Sequence, residues 1–566
     1  MAIIGIDLGT TYSLACVYKA GKSVLIPNSF GEFLTPSVVS VDGDGSVLVG
    51  KAAKERLISH PDTAQASFKR FMGQKKTLKL GKKTFTPEEL SSFVLRKLKE
   101  DAEAFLSEPV TEAIISVPAY FSDSSRAATK NAGHLAGIHV ERLVNEPSAA
   151  ALAYRLQNRE EDESFLIFDF GGGTLDVSVV DCFDDVVEIS AIAGNNHLGG
   201  DDFDMVIARA FCDENGVAFD SLEQSKQAII LKLAMQCKHV LSEQNQSVMV
   251  FNDPGFSRSL ILTNEKLFQL SAVMFDSMSS VIRSALKDSR KKPDDFTRIV
   301  LVGGSSKMPV VRRFVSHIMN RDIADTRSPD TVTGIGAGVY AGIKERQGDI
   351  RDVLLTDICP FTLGTNVVNY ADPKRALMCP IIERNCTLPV SKVQRLYTVA
   401  ANQKQLKTDV YQGEAVHCDE NFLLGSLSTF VPPAPESAEY VDLRFTYDIN
   451  GILDVEVTDK RGKTQQKTIV SANNTMSAAE IEKKRKELLK LKIHPRDLEE
   501  NRLLVARAER IFVETTGDIR AITLSKLEYF QRMLESQPKQ SIMKKIQDDM
   551  RQFLDSVDGA FSDYEV

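Results

Sequence analysis

Ile3-Ile4-Gly5-Ile6-Asp7-Leu8-Gly9-Thr10-Thr11-Tyr12-Ser13 stands near the start of the chain, and Phe165-Leu166-Ile167-Phe168-Asp169-Phe170-Gly171-Gly172-Gly173-Thr174-Leu175-Asp176-Val177-Ser178 repeats its pattern much later. Each is an apolar β run, an aspartate, a Gly/Thr turn and a second apolar run, Leu14 to Tyr18 in one copy and Val177 to Val180 in the other. That pattern predicts a buried hairpin with a polar tip.

The tip chemistry suits a polyphosphate. Glycine lets a phosphate approach the backbone closely, and successive N–H groups can point at it. Thr10, Thr11 and Thr174 add hydroxyl donors. Asp7 and Asp169 would repel bare phosphate, but they make sense around a hydrated Mg²⁺, which keeps several waters and takes few protein carboxylates. A single Asp-Gly-Thr turn reads as a plain hairpin. Two matching copies point to one nucleotide clasped from both sides.

Outward from the hairpins, 566 residues predict several domains. The net charge of −8 argues against nucleic acid or an anionic membrane as main partner. The eight cysteines are scattered singly, with no Cys-x-x-Cys pair, so neither a zinc site nor a disulfide framework is indicated. The first apolar run starts directly after Met1, which leaves no room for a signal peptide. No apolar run is long enough to span a bilayer. A cytoplasmic location is the expectation.

Lys51 to Leu106 reads as mostly helical, interrupted by a basic turn from Gly73 to Lys83. A strand is predicted at Glu112 to Val117, a helix at Ser125 to Ala136, and another opening at Pro147. This alternation predicts an α/β class with a central mixed sheet. Ile299 to Val302 runs into Gly303-Gly304-Ser305 and a helix, whose N–H groups can meet a phosphate or sugar. Asp352-Val353-Leu354-Leu355-Thr356-Asp357 is an apolar stretch bracketed by acids. From Cys359 to Ile469 the period is two, which predicts an all-β domain. Ser477 and Glu480 read as a capping box, and charged helices follow to Phe561, with breaks near Pro495 and Gly517.

Several of these stretches carry a resemblance: Ile4 to Thr11, Val117-Pro118-Ala119-Tyr120-Phe121, Asn145-Glu146-Pro147, Asp169 to Thr174, His197-Leu198-Gly199-Gly200-Asp201-Asp202-Phe203-Asp204 and Leu301 to Ser305. Along nearly its whole length the chain resembles the seventy-kilodalton heat-shock chaperones of the DnaK type. The resemblance implies an α/β actin-like ATPase domain (1–351), a linker (352–357), a peptide-binding β-sandwich (358–472) and a helical lid (473–566). The stretch from Gly73 to Thr86 and the loop from Asn252 to Ser259 look shorter than in DnaK, and the tail Ser562 to Val566 is not a Glu-Glu-Val-Asp end. The likeness is to a shortened bacterial form of the HscC kind.

The resemblance assigns roles. Lys69, Glu146, Asp169, Thr174 and Asp176 are the expected catalytic residues. Lys69 would stabilise charge on the transferring phosphoryl group, while Thr174 and Asp176 would orient water. Asp7 and Asp169 would hold the waters of Mg²⁺, with K⁺ as an optional companion. Gly9, Thr10, Thr11, Tyr12, Gly171, Gly172, Gly173, Gly199, Gly200, Lys238, Ser242, Gly303, Gly304, Ser305, Lys307 and Asp330 would hold ATP or ADP. Where the family has a glutamate and an arginine near the base, this chain has Met235 and Lys307, and lysine cannot stack as a guanidinium does. A weaker hold on adenine is expected. Pro118 and Arg126 resemble the family's switch, while Arg142 and Asp357 match positions that couple J-domain cochaperones and linker. Val353, Leu354 and Leu355 would dock. Thr365, Val367, Val368, Leu396, Val399, Leu406 and Leu443 would line or arch over a groove for extended apolar peptide.

The expected function is an ATP-driven chaperone of slow turnover, working in protein folding and the stress response, with no GrpE-type exchange factor. The alternatives are an actin-fold metabolite kinase, a filament former or a non-hydrolysing nucleotide-dependent binding protein.

Overall fold

The computed structural model describes residues 2–43, 45–157, 162–183, 186–253, 256–323, 328–345, 354–449, 451–469, 478–489, 499–536 and 540–562. Both quoted stretches fold as antiparallel hairpins. Ala2–Leu8 pairs with Tyr12–Lys19, and Glu163–Phe170 pairs with Leu175–Phe183. A third antiparallel strand extends each, Lys22–Ile26 in the first and Val186–Asn195 in the second. On the other flank each accepts a parallel strand, Val110–Val117 or Arg298–Val302. The two sheets therefore share a four-stranded core of one topology and form two related lobes.

Apolar residues on these strands fill the lobe cores: Ile4, Ile6, Ile115 and Val117 in one, Leu166, Phe168, Val177 and Val179 in the other. Helices Glu146–Gln157 and Val332–Lys344 pack against each other. Gly336 permits that contact, because a Cβ there would lie 1.9 Å from the Ala149 carbonyl oxygen.

The segment from Lys51 to Leu106 is less helical than its composition suggests. Helices cover only Lys51–Ser59 and Pro87–Leu106. Between them lie a 3₁₀ turn at Phe68–Phe71 and a small hairpin of Leu78–Leu80 with Lys83–Phe85. Pro61 disfavours helical geometry at His60, so the first helix ends there. The expected basic turn is this hairpin and its approach.

Two four-stranded sheets form the expected all-β part. One holds Leu363–Val367, Leu377–Ile382, Gln405–Gln412 and Phe422–Phe430; the other holds Val390–Tyr397, Tyr440–Tyr447, Leu453–Asp459 and Thr464–Ile469. Leu363, Val410, Val441, Phe445 and Val455 fill the space between. Helices Glu499–Glu514, Gly517–Ser536 and Gln540–Ser562 share a core of Leu504, Ile511, Leu527, Phe530 and Leu554. Ser477 and the Pro495 break lie outside the described residues; the break before Gly517 is present.

These C-terminal helices rest on the first lobe. Leu488, from helix Ala478–Leu489, joins that lobe's core. Lys484 pairs with Glu89 at 2.7 Å, Glu499 with Lys97 at 2.7 Å, and Arg502 with Asp42 at 2.6 Å. No helix among the described residues is long and apolar enough to cross a membrane.

Candidate nucleotide site

Five chemistry-bearing side chains meet where the hairpins face each other. Lys69 sits on the 3₁₀ turn, and Glu146 opens the helix that follows strand His139–Asn145. Their side chains are 5% and 11% exposed, and Lys69 Nζ lies 2.7 Å from Glu146 Oε1. Asp7 is on the first hairpin, and its Oδ1 accepts a hydrogen bond from Ser116 Oγ at 2.7 Å. Asp169 and Asp176 face each other across the second hairpin.

The charges do not balance. Burial, followed by the neighbouring Glu146, pushes the Asp7 carboxyl up to about 6 and Asp176 up to about 8. The same causes hold Asp169 well above the ordinary carboxylate range. Lys69 works against each shift but is one cation among four acids. Buried like charges disfavour ionisation unless a cation compensates. Thr11 Oγ1 and Asp176 Oδ1 are buried with no hydrogen-bond partner among the described residues. This donor set fits a hydrated divalent cation with a phosphate: Asp7 and Asp169 would hold the ion's waters, and Thr11 would meet the phosphate. When bound, the ion supplies neutralisation of phosphate charge.

A pH dependence follows. Folded Asp176 titrates near 8 against an ordinary value of 3.8, so between those limits the native state binds more protons than the unfolded chain. Stability of the nucleotide-free protein should fall as pH rises through that window. Asp176→Asn should flatten the slope. Thermal unfolding at pH 5.5 to 8.5, on the order of the window above, measures both; a melting temperature that rises with pH would contradict the assignment.

The glycine turns form one cradle. Gly199 passes so close to the second hairpin tip that a Cβ would lie 2.3 Å from the Gly172 carbonyl carbon. Gly200 is similarly close to Ser305, which brings the third glycine turn to the same place. Arg70 was not singled out from sequence, yet it ties the lobes together. Its guanidinium donates to both Asp202 oxygens at 3.2 and 2.8 Å and to the Gly172 carbonyl at 3.1 Å. Ser67 Oγ donates to Asp201 Oδ2 at 2.8 Å. The available signal was the acid pair beside Gly199-Gly200 and the arginine beside Lys69.

Beyond the cradle the cleft opens into a cavity of about 1970 Å³, lined on this side by Tyr12, Lys54, Asp204, Met235, Lys307 and Asp330. Lys238 pairs with Asp204 at 2.7 Å and donates to the Gly200 carbonyl at 2.8 Å. Ser242 Oγ donates to the Lys238 carbonyl, and Lys307 pairs with Asp330. Tyr12 Oη accepts from Lys54 at 2.9 Å. His239, also unanticipated, has its imidazole pushed down to about 4 by burial and by Lys238, Lys54 and Lys307.

The expected coupling residues form a path out of the site. Arg126 donates to the Ala119 carbonyl at 3.0 Å and to Asn145 Oδ1 at 2.6 Å. The Pro118 carbonyl accepts from the Phe121 amide. Asn145 Nδ2 and Ser148 Oγ both donate to Asp357 Oδ2, at 2.8 and 3.0 Å. Leu354–Thr356 is a fifth strand of the second sheet, parallel to Val186–Glu188. Leu355 packs into the core between the lobes. Val353 lies outside the described residues. Arg142 lies over the Tyr340 ring at 5.1 Å. The sandwich completes the path: Tyr447 donates to Asp123 at 3.0 Å, Phe361 meets the Tyr120 ring edge-on at 4.4 Å, and Arg384 pairs with Asp288 at 2.8 Å.

The groove residues divide. Thr365, Leu406 and Leu443 are buried inside the sandwich, with Thr365 Oγ1 donating to the Asp409 carbonyl. Val367 and Leu396 are half-buried, while Val368 and Val399 are 40% and 45% exposed.

The family model described as Hsp70 protein matches residues 3–80 and 74–559. The chain belongs to the Hsp70 protein family. Its members are chaperones with nucleotide-dependent activity and are ATPases in general; they use ATP or ADP with Mg²⁺ and bind client peptides and J-domain cochaperones.

Proposed function

We propose that this chain is an ATP-dependent chaperone that binds short extended apolar segments, with ATP hydrolysis controlling capture and release. The domains are 1–351 for the ATPase, 352–357 for the linker, 358–472 for peptide binding and 473–566 for the lid. The carrying observation is the path of direct contacts from Lys69–Glu146 through Asn145 to Asp357 and the linker strand. A metabolite kinase has no use for a peptide-binding module wired to its phosphate site. The imbalance of four buried acids against Lys69 supports Mg²⁺-nucleotide as the ligand. A shortened bacterial chaperone of the HscC kind, in the cytoplasm and served by a J-domain partner, is the best fit. The test is ATP turnover with and without an apolar peptide; turnover indifferent to peptide would reject the coupling.

Nucleotide exchange should need no GrpE-type factor. Met235 and Lys307 line the cavity where the family offers a glutamate and an arginine, and Lys307 is already engaged by Asp330. Each lost contact weakens binding by about 1 kcal/mol, and 1.4 kcal/mol is about tenfold in affinity. The loss falls mainly on the dissociation rate. The hairpin Gln246–Asp253 with Phe256–Thr263 is paired out to Asp253 and Phe256, in keeping with a short loop. Stopped-flow release of labelled ADP should be fast and unchanged by such a factor. Slow release that the factor strongly accelerates would overturn this expectation.

A further inference from the structure

We propose that helix Glu499–Glu514 is a latch across the mouth of the nucleotide cleft, holding its two walls together and setting the rate at which nucleotide leaves. One wall is helix Lys51–Ser59 of the first lobe; the other is helix Gln224–Val240 of the second. These helices approach each other directly, and the C-terminal helix lies along the first. Its last turns reach across. Arg510 Nε donates to Glu55 on the first wall. Arg510 Nη1 donates to Glu514 Oε2 at 2.6 Å, and Glu514 Oε1 accepts from Lys232 on the second wall at 2.5 Å. Glu55, Arg510, Glu514 and Lys232 are thus one unbroken row of charges from wall to wall.

The row is well supported. Asp558 holds Arg510 Nη2 through both oxygens, at 2.8 and 2.9 Å. The Arg510 side chain is only 6% exposed and Glu514 10%, so these pairs are largely withdrawn from water. Removing one partner of such a row leaves buried charge uncompensated, unlike the loss of a surface pair. Arg510 and Glu514 line the same cavity as Tyr12, Lys307 and Asp330, so the row bounds the space that the nucleoside would occupy.

Two consequences follow, resting on the nucleotide reading of the cleft. While the helix is docked, nucleotide leaves more slowly; when it lifts, the walls part and exchange speeds up. The coupling is reciprocal, so a nucleotide that draws the walls together also favours docking of the helix. The C-terminal helices thereby gain control over the ATPase cleft itself, separate from any role over the sandwich.

The test uses the full chain and labelled ATP. Lys232→Glu sets an acid against Glu514 and should speed stopped-flow release about tenfold, while Lys232→Arg, which keeps the charge, should stay within about twofold of wild type. Hydrogen exchange on the nucleotide-free protein supplies a second readout: Lys232→Glu should raise exchange in 51–59 and 499–514, and Lys232→Arg should not. Release and exchange that are the same in all three proteins would overturn the latch while leaving the nucleotide reading standing. A wild type that binds no labelled ATP would overturn both.

Discussion

Lys69→Ala is expected to bind ATP but hydrolyse it about 10²–10³-fold more slowly, the loss typical of removing one preorganised electrostatic stabiliser. Lys69 is the only cation in direct contact with Glu146, at 2.7 Å among the described residues, and it offsets the raised carboxyls of Asp7, Asp169 and Asp176. Charge that develops on a transferring phosphoryl group in this pocket would meet a donor already aimed and already desolvated. Retained binding is expected because the glycine cradle, Thr10 and Thr11 do not depend on Lys69. The substitution also removes the partner of a buried carboxylate, which costs stability. Lys69→Ala/Glu146→Gln removes the stranded carboxylate and should recover melting temperature, which marks the stability loss as distinct from the loss of hydrolysis in Lys69→Ala. Single-turnover hydrolysis near the wild-type rate in Lys69→Ala would end the catalytic assignment.

The hairpins were legible because their signal is local. Alternating apolar residues, an aspartate and a Gly/Thr turn lie within one short stretch, and the duplication announced two facing hairpins. Arg70 was not legible because its partner Asp202 is 132 residues away, and no local pattern joins them. The groove residues were assigned by the resemblance, which does not tell how deeply each side chain is buried. Thr365, Leu406 and Leu443 are buried, while Val368 and Val399 stand exposed. The C-terminal helices read as amphipathic, but amphipathicity names no partner. Their resting place follows from pairs such as Arg502–Asp42 and Arg510–Glu55, between segments more than four hundred residues apart.

The second large effect concerns the linker: Leu354→Asp/Leu355→Asp should abolish the acceleration of peptide release by ATP. Leu354 and Leu355 pair with Val186 and Val187 at the edge of the second sheet, and Leu355 enters the core between the lobes. A short apolar run flanked by acids is costly in water, at roughly 25 cal/mol per Å² of apolar surface exposed. An aspartate at either position would bring an unpaired charge to that sheet edge, so the strand should stay undocked whatever occupies the cleft. Asp357 would then lose its fixed position against Asn145 and Ser148, and with it the only route of direct hydrogen bonds, among those described, between the residue preceding Glu146 and the start of the sandwich. ATP binding and basal hydrolysis should survive, since the linker strand pairs with Val186–Glu188 and supplies none of the five side chains of the phosphate site. Peptide affinity without nucleotide should survive too, because the sandwich core is untouched. The measurement is the dissociation rate of a labelled apolar peptide before and after ATP is added. ATP-accelerated release in the double variant would show that the two domains communicate by another route.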